Sequence, residues 1–144
     1  MYYSPLVKKA SRLLFEAHGS DLDKGGYPYV MHPLYLAFQM EDEDAVCVAL
    51  LHDLIEDHGD KYSIEYLARE GFGEKILSAL RLLTHDPSVP YMDYVREIGK
   101  DPLARRVKIA DLRHNSDASR LEGQTPKKAD LYREALLYLT SLDH

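Results

Sequence analysis

The sequence predicts an all-α protein. Apolar residues recur at helical spacing, and the breaks between apolar segments fall at capping residues, glycines and prolines. No segment shows the sustained apolar-polar alternation bounded by hairpin turns that is typical of strands. The chain of 144 residues can form one hydrophobic core without disulfides, and no linker or repeat divides it. We therefore expect one domain over residues 1–144, a compact bundle of about seven to eight helices.

Each predicted helix has its own start and stop signals. Three helices begin with a capping side chain followed by proline, at Ser4-Pro5, Asp101-Pro102 and Thr125-Pro126. The acidic stretch 41–44 suits the positive end of the third helix, and Gly71 closes the fourth. In chain order, the predicted helices cover roughly residues 5–18, 32–40, 41–57, 63–71, 74–84, 92–98, 101–115 and 125–142.

Composition argues against several classes of function. A net charge of −6 disfavours a broad basic surface for nucleic acid. The N-terminus lacks the basic head and apolar stretch of a signal peptide, and no apolar run is long enough to span a membrane. The single cysteine, Cys47, lies in an apolar run and is expected to be a buried, reduced thiol. We expect a cytoplasmic protein that binds neither nucleic acid nor membranes; the sequence leaves the oligomeric state open.

The third predicted helix carries ionisable groups within an apolar segment. Because residues four apart share a helix face, we expect His52 over Glu56 and Asp53 over Asp57. Buried carboxylates need a compensating charge, and imidazole with carboxylate suits manganese, iron or zinc better than calcium. The alternative is an ordinary helix end, with solvated carboxylates and a hydrogen-bonded core histidine.

Two distant positions supply further metal-binding groups. Asp111 continues the apolar stripe of the seventh predicted helix, with Asn115 on the same face. His32 stands at a helix start after a glycine-rich loop, where it can also act as a capping residue. Together with His52 and Asp53, these residues predict a site of two histidines and two aspartates.

Three blocks of the sequence resemble the HD-domain superfamily, and more narrowly the hydrolase domain of the RelA/SpoT alarmone enzymes and their stand-alone small hydrolases. The blocks are GYPYVMHP at 26–33, LLHDLIED at 50–57 and VKIADLRHN at 107–115. They follow the order and approximate spacing of that family. The resemblance implies an HD-type helical bundle that hydrolyses ppGpp to GDP and pyrophosphate.

The resemblance also implies roles for individual residues. The matched metal ligands are His32, His52, Asp53 and Asp111. They hold one divalent ion in the family, usually manganese; iron, zinc, cobalt and magnesium are the other candidates. Glu56 and Asp57 match the pair that orients or deprotonates the attacking water, and Asn115 matches a residue near the substrate ribose and phosphate.

Cationic side chains should hold an anionic nucleotide, and Lys24, Lys108 and Arg113 are the candidates, each with a solvated surface charge as the alternative. Two residues depart from the family pattern. Asp23 stands where the alarmone hydrolases carry an arginine, and His58 stands where they carry a threonine. An aspartate cannot make the planar cationic contact of an arginine, although it can accept hydrogen bonds from a guanine edge. These departures concern the substrate rather than the metal.

Three functions are therefore considered. The first is a manganese-dependent 3′-pyrophosphohydrolase of ppGpp, and the second is an HD phosphohydrolase of another nucleotide or phosphate ester, which Asp23 favours. The third is a nucleotide-binding regulatory module with weak or no catalysis. The complete ligand set and the Glu56-Asp57 pair argue against this third function. A chain of 144 residues leaves no room for a synthetase domain, so we expect hydrolysis only.

Overall fold

The helices that the sequence predicts are present in a computed structural model that describes residues 1–121 and 128–142. In chain order they are α1 Pro5–His18, α2 Met31–Phe38, α3 Glu43–Leu51, α4 Leu54–His58, α5 Ile64–Arg69, α6 Glu74–Leu83, α7 Tyr91–Ile98, α8 Pro102–Asn115 and α9 Ala129–Ser141. A short 3₁₀ turn, Ala118–Leu121, follows α8. The described residues contain only one isolated β-bridge and no named strand. The predicted all-α class is confirmed.

Side-chain caps account for several of the observed helix starts. The Ser4 hydroxyl accepts a hydrogen bond from the Val7 amide, and the Asp101 carboxylate accepts one from the Leu103 amide. Both helices also carry proline in the first turn. The predicted start at 125–126 lies outside the described residues.

The prediction of one continuous helix over 41–57 is wrong at its centre. Helix α3 ends at Leu51 and α4 begins at Leu54, with Asp53 at φ −104° and ψ 2° between them. In an unbroken helix, consecutive side chains diverge by about 100°. The break instead brings Nε2 of His52 to 3.3 Å from Oδ2 of Asp53, so both side chains serve the same site. The predicted spacing of one helical turn between Asp53 and Asp57 is retained, because the Asp57 amide donates a hydrogen bond to the Asp53 carbonyl.

The core surrounds α3, whose residues from Ala45 to Leu51 are all buried. This helix packs against α1, α2, α6 and α8. A helix in such a central position has to be apolar on every face, as α3 is. Cys47 is a buried free thiol within α3, as predicted. None of the described helices combines the length and continuous apolar character of a membrane span.

Candidate metal centre

The four predicted ligands meet where α2, the α3–α4 junction and α8 converge. His32, His52 and Asp53 each offer one ligand atom within 4.8 Å of the other two. Oδ1 of Asp111 lies 2.9 Å from Nε2 of His32 and 3.5 Å from Nε2 of His52. The structure therefore assembles a histidine-aspartate cluster that can hold a divalent cation.

His52 has the hydrogen bonding of a metal-binding imidazole. Its Nδ1 donates to the Ala49 carbonyl at 2.7 Å, which fixes the orientation of the ring. Its Nε2 is buried without a hydrogen-bond partner among the described residues, yet faces carboxylate oxygens of Asp53 and Asp111 at 3.3 and 3.5 Å. Two carboxylates around one buried imidazole nitrogen need a positive charge between them, which either a proton on the ring or a metal cation can supply.

His32 is held in place by a second imidazole. Its Nδ1 lies 2.7 Å from Nδ1 of His114, and the two rings stack 4.9 Å apart and nearly parallel. Burial, followed by the positive charge of Arg120, lowers the pKa of His114 to about 4, so this ring is neutral at physiological pH. When His32 supplies the proton between the rings, its Nε2 presents a lone pair to Asp111. In that tautomer, a cation between Nε2 of His32 and Asp111 would take the place of the missing proton.

Three side chains support the two aspartates. The Tyr29 hydroxyl donates to Oδ2 of Asp53, and the amide of Asn115 donates to Oδ1 of Asp111 at 2.9 Å. Nζ of Lys108 lies 3.0 Å from Oδ2 of Asp111. Burial alone would raise the pKa of Asp111, but Lys108 and then His32 hold it well below its ordinary value. Both aspartates are therefore ionised, as metal ligation requires.

Glu56 and Asp57 lie beside this cluster with raised proton affinity. Burial, then the negative charges of Asp53 and Glu56, raise the pKa of Asp57 to about 6. Burial also raises the pKa of Glu56, whose carboxylate accepts a hydrogen bond from the backbone amide of His85. A carboxylate that titrates near neutral pH can exchange a proton with a reacting water.

The structure divides the predicted substrate-binding residues into two groups. Lys108 and Asn115 contact Asp111 directly and belong to the cluster. Lys24 is exposed on the loop before α2, and among the described residues no hydrogen bond or ion pair joins it to the cluster. Arg113 is also exposed and lines a shallow groove with Gln39 and Ile109, so the structure does not bring it to the metal ligands.

Sequence reasoning missed Tyr29, His114 and Arg120. The Arg120 guanidinium donates to the Asn115 side chain at 3.2 Å and lies 3.4 Å from Asp23. Asp23 also accepts the backbone amides of Gly25 and Tyr27, so its carboxylate organises the loop. Tyr29 lies in the motif block at 26–33, so its neighbours in the sequence could have indicated it. Arg120 is 97 residues from Asp23, and no local sequence pattern indicates that the two form a pair.

The fold and the cluster define an all-helical protein with a histidine-aspartate centre. No family model matches the sequence. The chain is 29% identical over 152 residues to a probable GTP pyrophosphokinase of Mycobacterium leprae, which covers 96% of this chain and 19% of that protein. It is 27% identical over 117 residues to a guanosine-3′,5′-bis(diphosphate) 3′-pyrophosphohydrolase of Aquifex aeolicus, which covers 73% of this chain and 16% of that protein.

A solved structure described as a metazoan ortholog of SpoT that hydrolyses ppGpp matches with a TM-score of 0.73 and 23% identity. The match covers 99% of this chain and 87% of that one, and at this identity it concerns the fold. The chain spans about a fifth or less of the length of the two curated relatives. The resemblance to the RelA/SpoT hydrolase domain, expected from the three sequence blocks, is confirmed.

Proposed function

We propose that this chain is a metal-dependent phosphohydrolase that removes pyrophosphate from the 3′ position of guanosine-3′,5′-bis(diphosphate). One water is consumed, and the P–O bond to the 3′ oxygen breaks to leave GDP and pyrophosphate. The Aquifex relative carries the name of this activity, and the solved structural neighbour is described as hydrolysing ppGpp. These comparisons support the substrate.

The observation that carries the proposal is the buried, unpartnered Nε2 of His52 facing the carboxylates of Asp53 and Asp111. Together with His32, these residues would hold one divalent ion, for which we propose manganese. Two imidazoles and two carboxylates form the mixed nitrogen and oxygen set that such an ion accepts. When bound, the ion supplies Lewis-acid chemistry and lowers the pKa of coordinated water.

The remaining residues act on the proton and on the substrate. Asp57, which lies beside the cluster, accepts the proton from the attacking water, and Glu56 orients that water beside it. Asn115 and Lys108 stand at the edge of the cluster, where they contact phosphate or ribose as well as Asp111. Lys24 binds the distal phosphates from the loop. Arg113 is left out because it lines a different groove.

Asp23 favours a second candidate, an HD phosphohydrolase that acts on another nucleotide or phosphate ester. Its carboxylate is engaged by Arg120 and by two backbone amides of its own loop. It therefore has little capacity left to bind a guanine edge, and it places a negative charge close to where a phosphate would lie.

The deciding experiment incubates manganese-reconstituted protein with ppGpp, pppGpp and a panel of nucleoside monophosphates. We expect release of GDP and pyrophosphate from ppGpp, and loss of both bound manganese and turnover in Asp53→Ala. Asp60→Asn removes an exposed carboxylate outside the cluster and should retain both. Turnover of monophosphates alone would favour the second candidate. Manganese binding without turnover of any nucleotide would favour a regulatory nucleotide-binding module.

A further inference from the structure

A second cluster of metal-binding side chains lies outside the candidate metal centre. His18 ends α1, Asp21 follows in the next loop, and His58 ends α4. Each offers one ligand atom within 4.8 Å of the other two. Oδ2 of Asp21 lies 2.9 Å from both Nδ1 of His18 and Nε2 of His58. A single carboxylate oxygen therefore joins the end of α1 and the loop after it to the end of α4.

One carboxylate oxygen of Asp21 accepts the hydrogen bonds of both imidazoles. Imidazole and carboxylate bind metals in their deprotonated forms, so an ion at this point would take the place of the two shared protons. The hydrogen-bonded arrangement already brings the three ligand atoms together.

We propose that His18, Asp21 and His58 form a second metal site, which binds Zn²⁺ through three protein ligands and leaves one position open to solvent. Two imidazoles and one carboxylate form a ligand set that zinc adopts in sites with an open position. This site uses no residue of the candidate metal centre and goes beyond the proposed hydrolysis.

The distances agree with a shared ion. Ligand atoms lie about 2.0–2.2 Å from zinc, which places two tetrahedral ligands about 3.3 Å apart. The observed separations of 2.9 Å therefore need to widen by only a few tenths of an ångström. The His18 side chain is 2% exposed, whereas those of Asp21 and His58 are 37% and 32% exposed. Burial restricts the movement of the His18 ring, and an ion can reach the site from solvent past the half-exposed Asp21 and His58.

The second site is structurally linked to the first through Tyr29. The ring of His18 lies on the ring of Tyr29, with centroids 4.5 Å apart, and the Tyr29 hydroxyl donates to Asp53. A zinc ion that fixes His18 would also fix this tyrosine. The two ions would nevertheless bind to separate ligand sets, so each can be removed by its own substitutions.

The test is zinc stoichiometry, measured by equilibrium dialysis of the metal-free full chain followed by elemental analysis. We expect about two zinc ions per wild-type chain, and about one in Asp53→Ala, Asp21→Asn and His58→Gln. Asp21→Asn is nearly isosteric, which limits structural damage, and far-ultraviolet circular dichroism checks the fold of each variant. Asp60→Asn is the matched control, since it removes a nearby exposed carboxylate outside the cluster, and should keep both ions.

X-ray absorption at the zinc edge gives a second, independent readout. In Asp53→Ala protein loaded with one zinc, the spectrum should show two imidazole ligands, and the bound zinc should disappear when Asp21→Asn is added but persist when His32→Gln is added. A single zinc in the wild-type chain that Asp53→Ala loses and Asp21→Asn keeps would overturn the proposal and leave a hydrogen-bonded His-Asp-His triad, whereas a single zinc that Asp21→Asn loses and Asp53→Ala keeps would support it. Retention of both ions by Asp21→Asn and His58→Gln would overturn it as well.

Discussion

Asp57, the proton acceptor in the proposed mechanism, lies in surroundings that disfavour its ionised form. Burial, Asp53 and Glu56 raise its pKa from 3.8 to about 6. Ionising Asp57 is therefore harder in the folded chain than in the unfolded chain. Its protonated form stabilises the fold fully below pH 3.8, and this contribution disappears as the pH rises through about 6.

In the metal-free protein, Asp57→Asn is expected to raise the free energy of unfolding at pH 8 by about 1 kcal/mol, because the variant never carries the unfavourable charge. This free energy is smaller than the one that corresponds to the whole pKa shift of Asp57, because its side chain is partly exposed and screened by solvent. The gain should be smaller at pH 4.5. Urea unfolding at both pH values measures it, with Asp60→Asn as the matched loss of one surface carboxylate. A variant less stable than wild type at pH 8 would contradict this account.

Lys108 illustrates a role that its residue type alone does not indicate. Its charge and its position on the helix of Asp111 predicted a contact with an anionic substrate, with a solvated surface charge as the alternative. In the structure its side chain is 12% exposed, lies over the rings of Tyr91 and Tyr94, and pairs with Asp111. Its first effect is to keep Asp111 ionised, and any contact with substrate is made from that position.

At the level of elements, helix boundaries decide which side chains reach the centre. The break between α3 and α4 lets the adjacent residues His52 and Asp53 point to the same place. The ends of α1 and α4 bring His18 and His58 together in the same way. Hence several clustered residues lie at helix ends or in connections, although His32 and Asp111 lie within α2 and α8.

Gly71 provides a test of one such boundary. It follows α5 with φ +100°, a left-handed conformation that L-residues adopt only at a cost, and a Cβ there would meet no atom closer than 4.0 Å. Gly71→Ala should therefore lower the free energy of unfolding by about 1–2 kcal/mol for conformational reasons alone. Gly71→Asn should cost less, because asparagine tolerates this region better. Chemical denaturation of both variants checks the order, and equal stability of Gly71→Ala and wild type would refute it.

At the level of the whole molecule, the candidate metal centre joins segments that are distant in the chain. His32 comes from α2, His52 and Asp53 from the α3–α4 junction, and Asp111 from α8. In the unfolded chain these groups are far apart, so an ion that needs all four binds only the folded state. Binding should therefore stabilise the fold through mass action.

Manganese is expected to stabilise the wild-type chain by about 2.7 kcal/mol when the free ion is at 100 times its Kd. Thermal unfolding with and without manganese, followed by addition of a chelator, measures the effect and its reversal. Asp53→Ala should lose this stabilisation, because the ligand set is broken. An equal manganese-dependent rise in Tm in that variant would show that the ion binds elsewhere.

The sequence by itself determined the helical class, most helix boundaries and which four histidines and aspartates would lie together. These features depend on interactions over three or four residues, such as the Ser4 cap, or on motif blocks that are contiguous in the chain. For the same reason, proline and glycine signals located the ends of α1, α5 and α8 well.

The tertiary structure alone decided the break after Leu51, the stacking of His114 on His32 and the pairing of Arg120 with Asp23. Two of these contacts span 82 and 97 residues, and no local periodicity encodes them. The break has a related cause. Helical spacing assigns His52 and Asp53 to different faces of one helix. The helix is interrupted at these two residues, where α2, the α3–α4 junction and α8 bring the charged side chains of the candidate metal centre together.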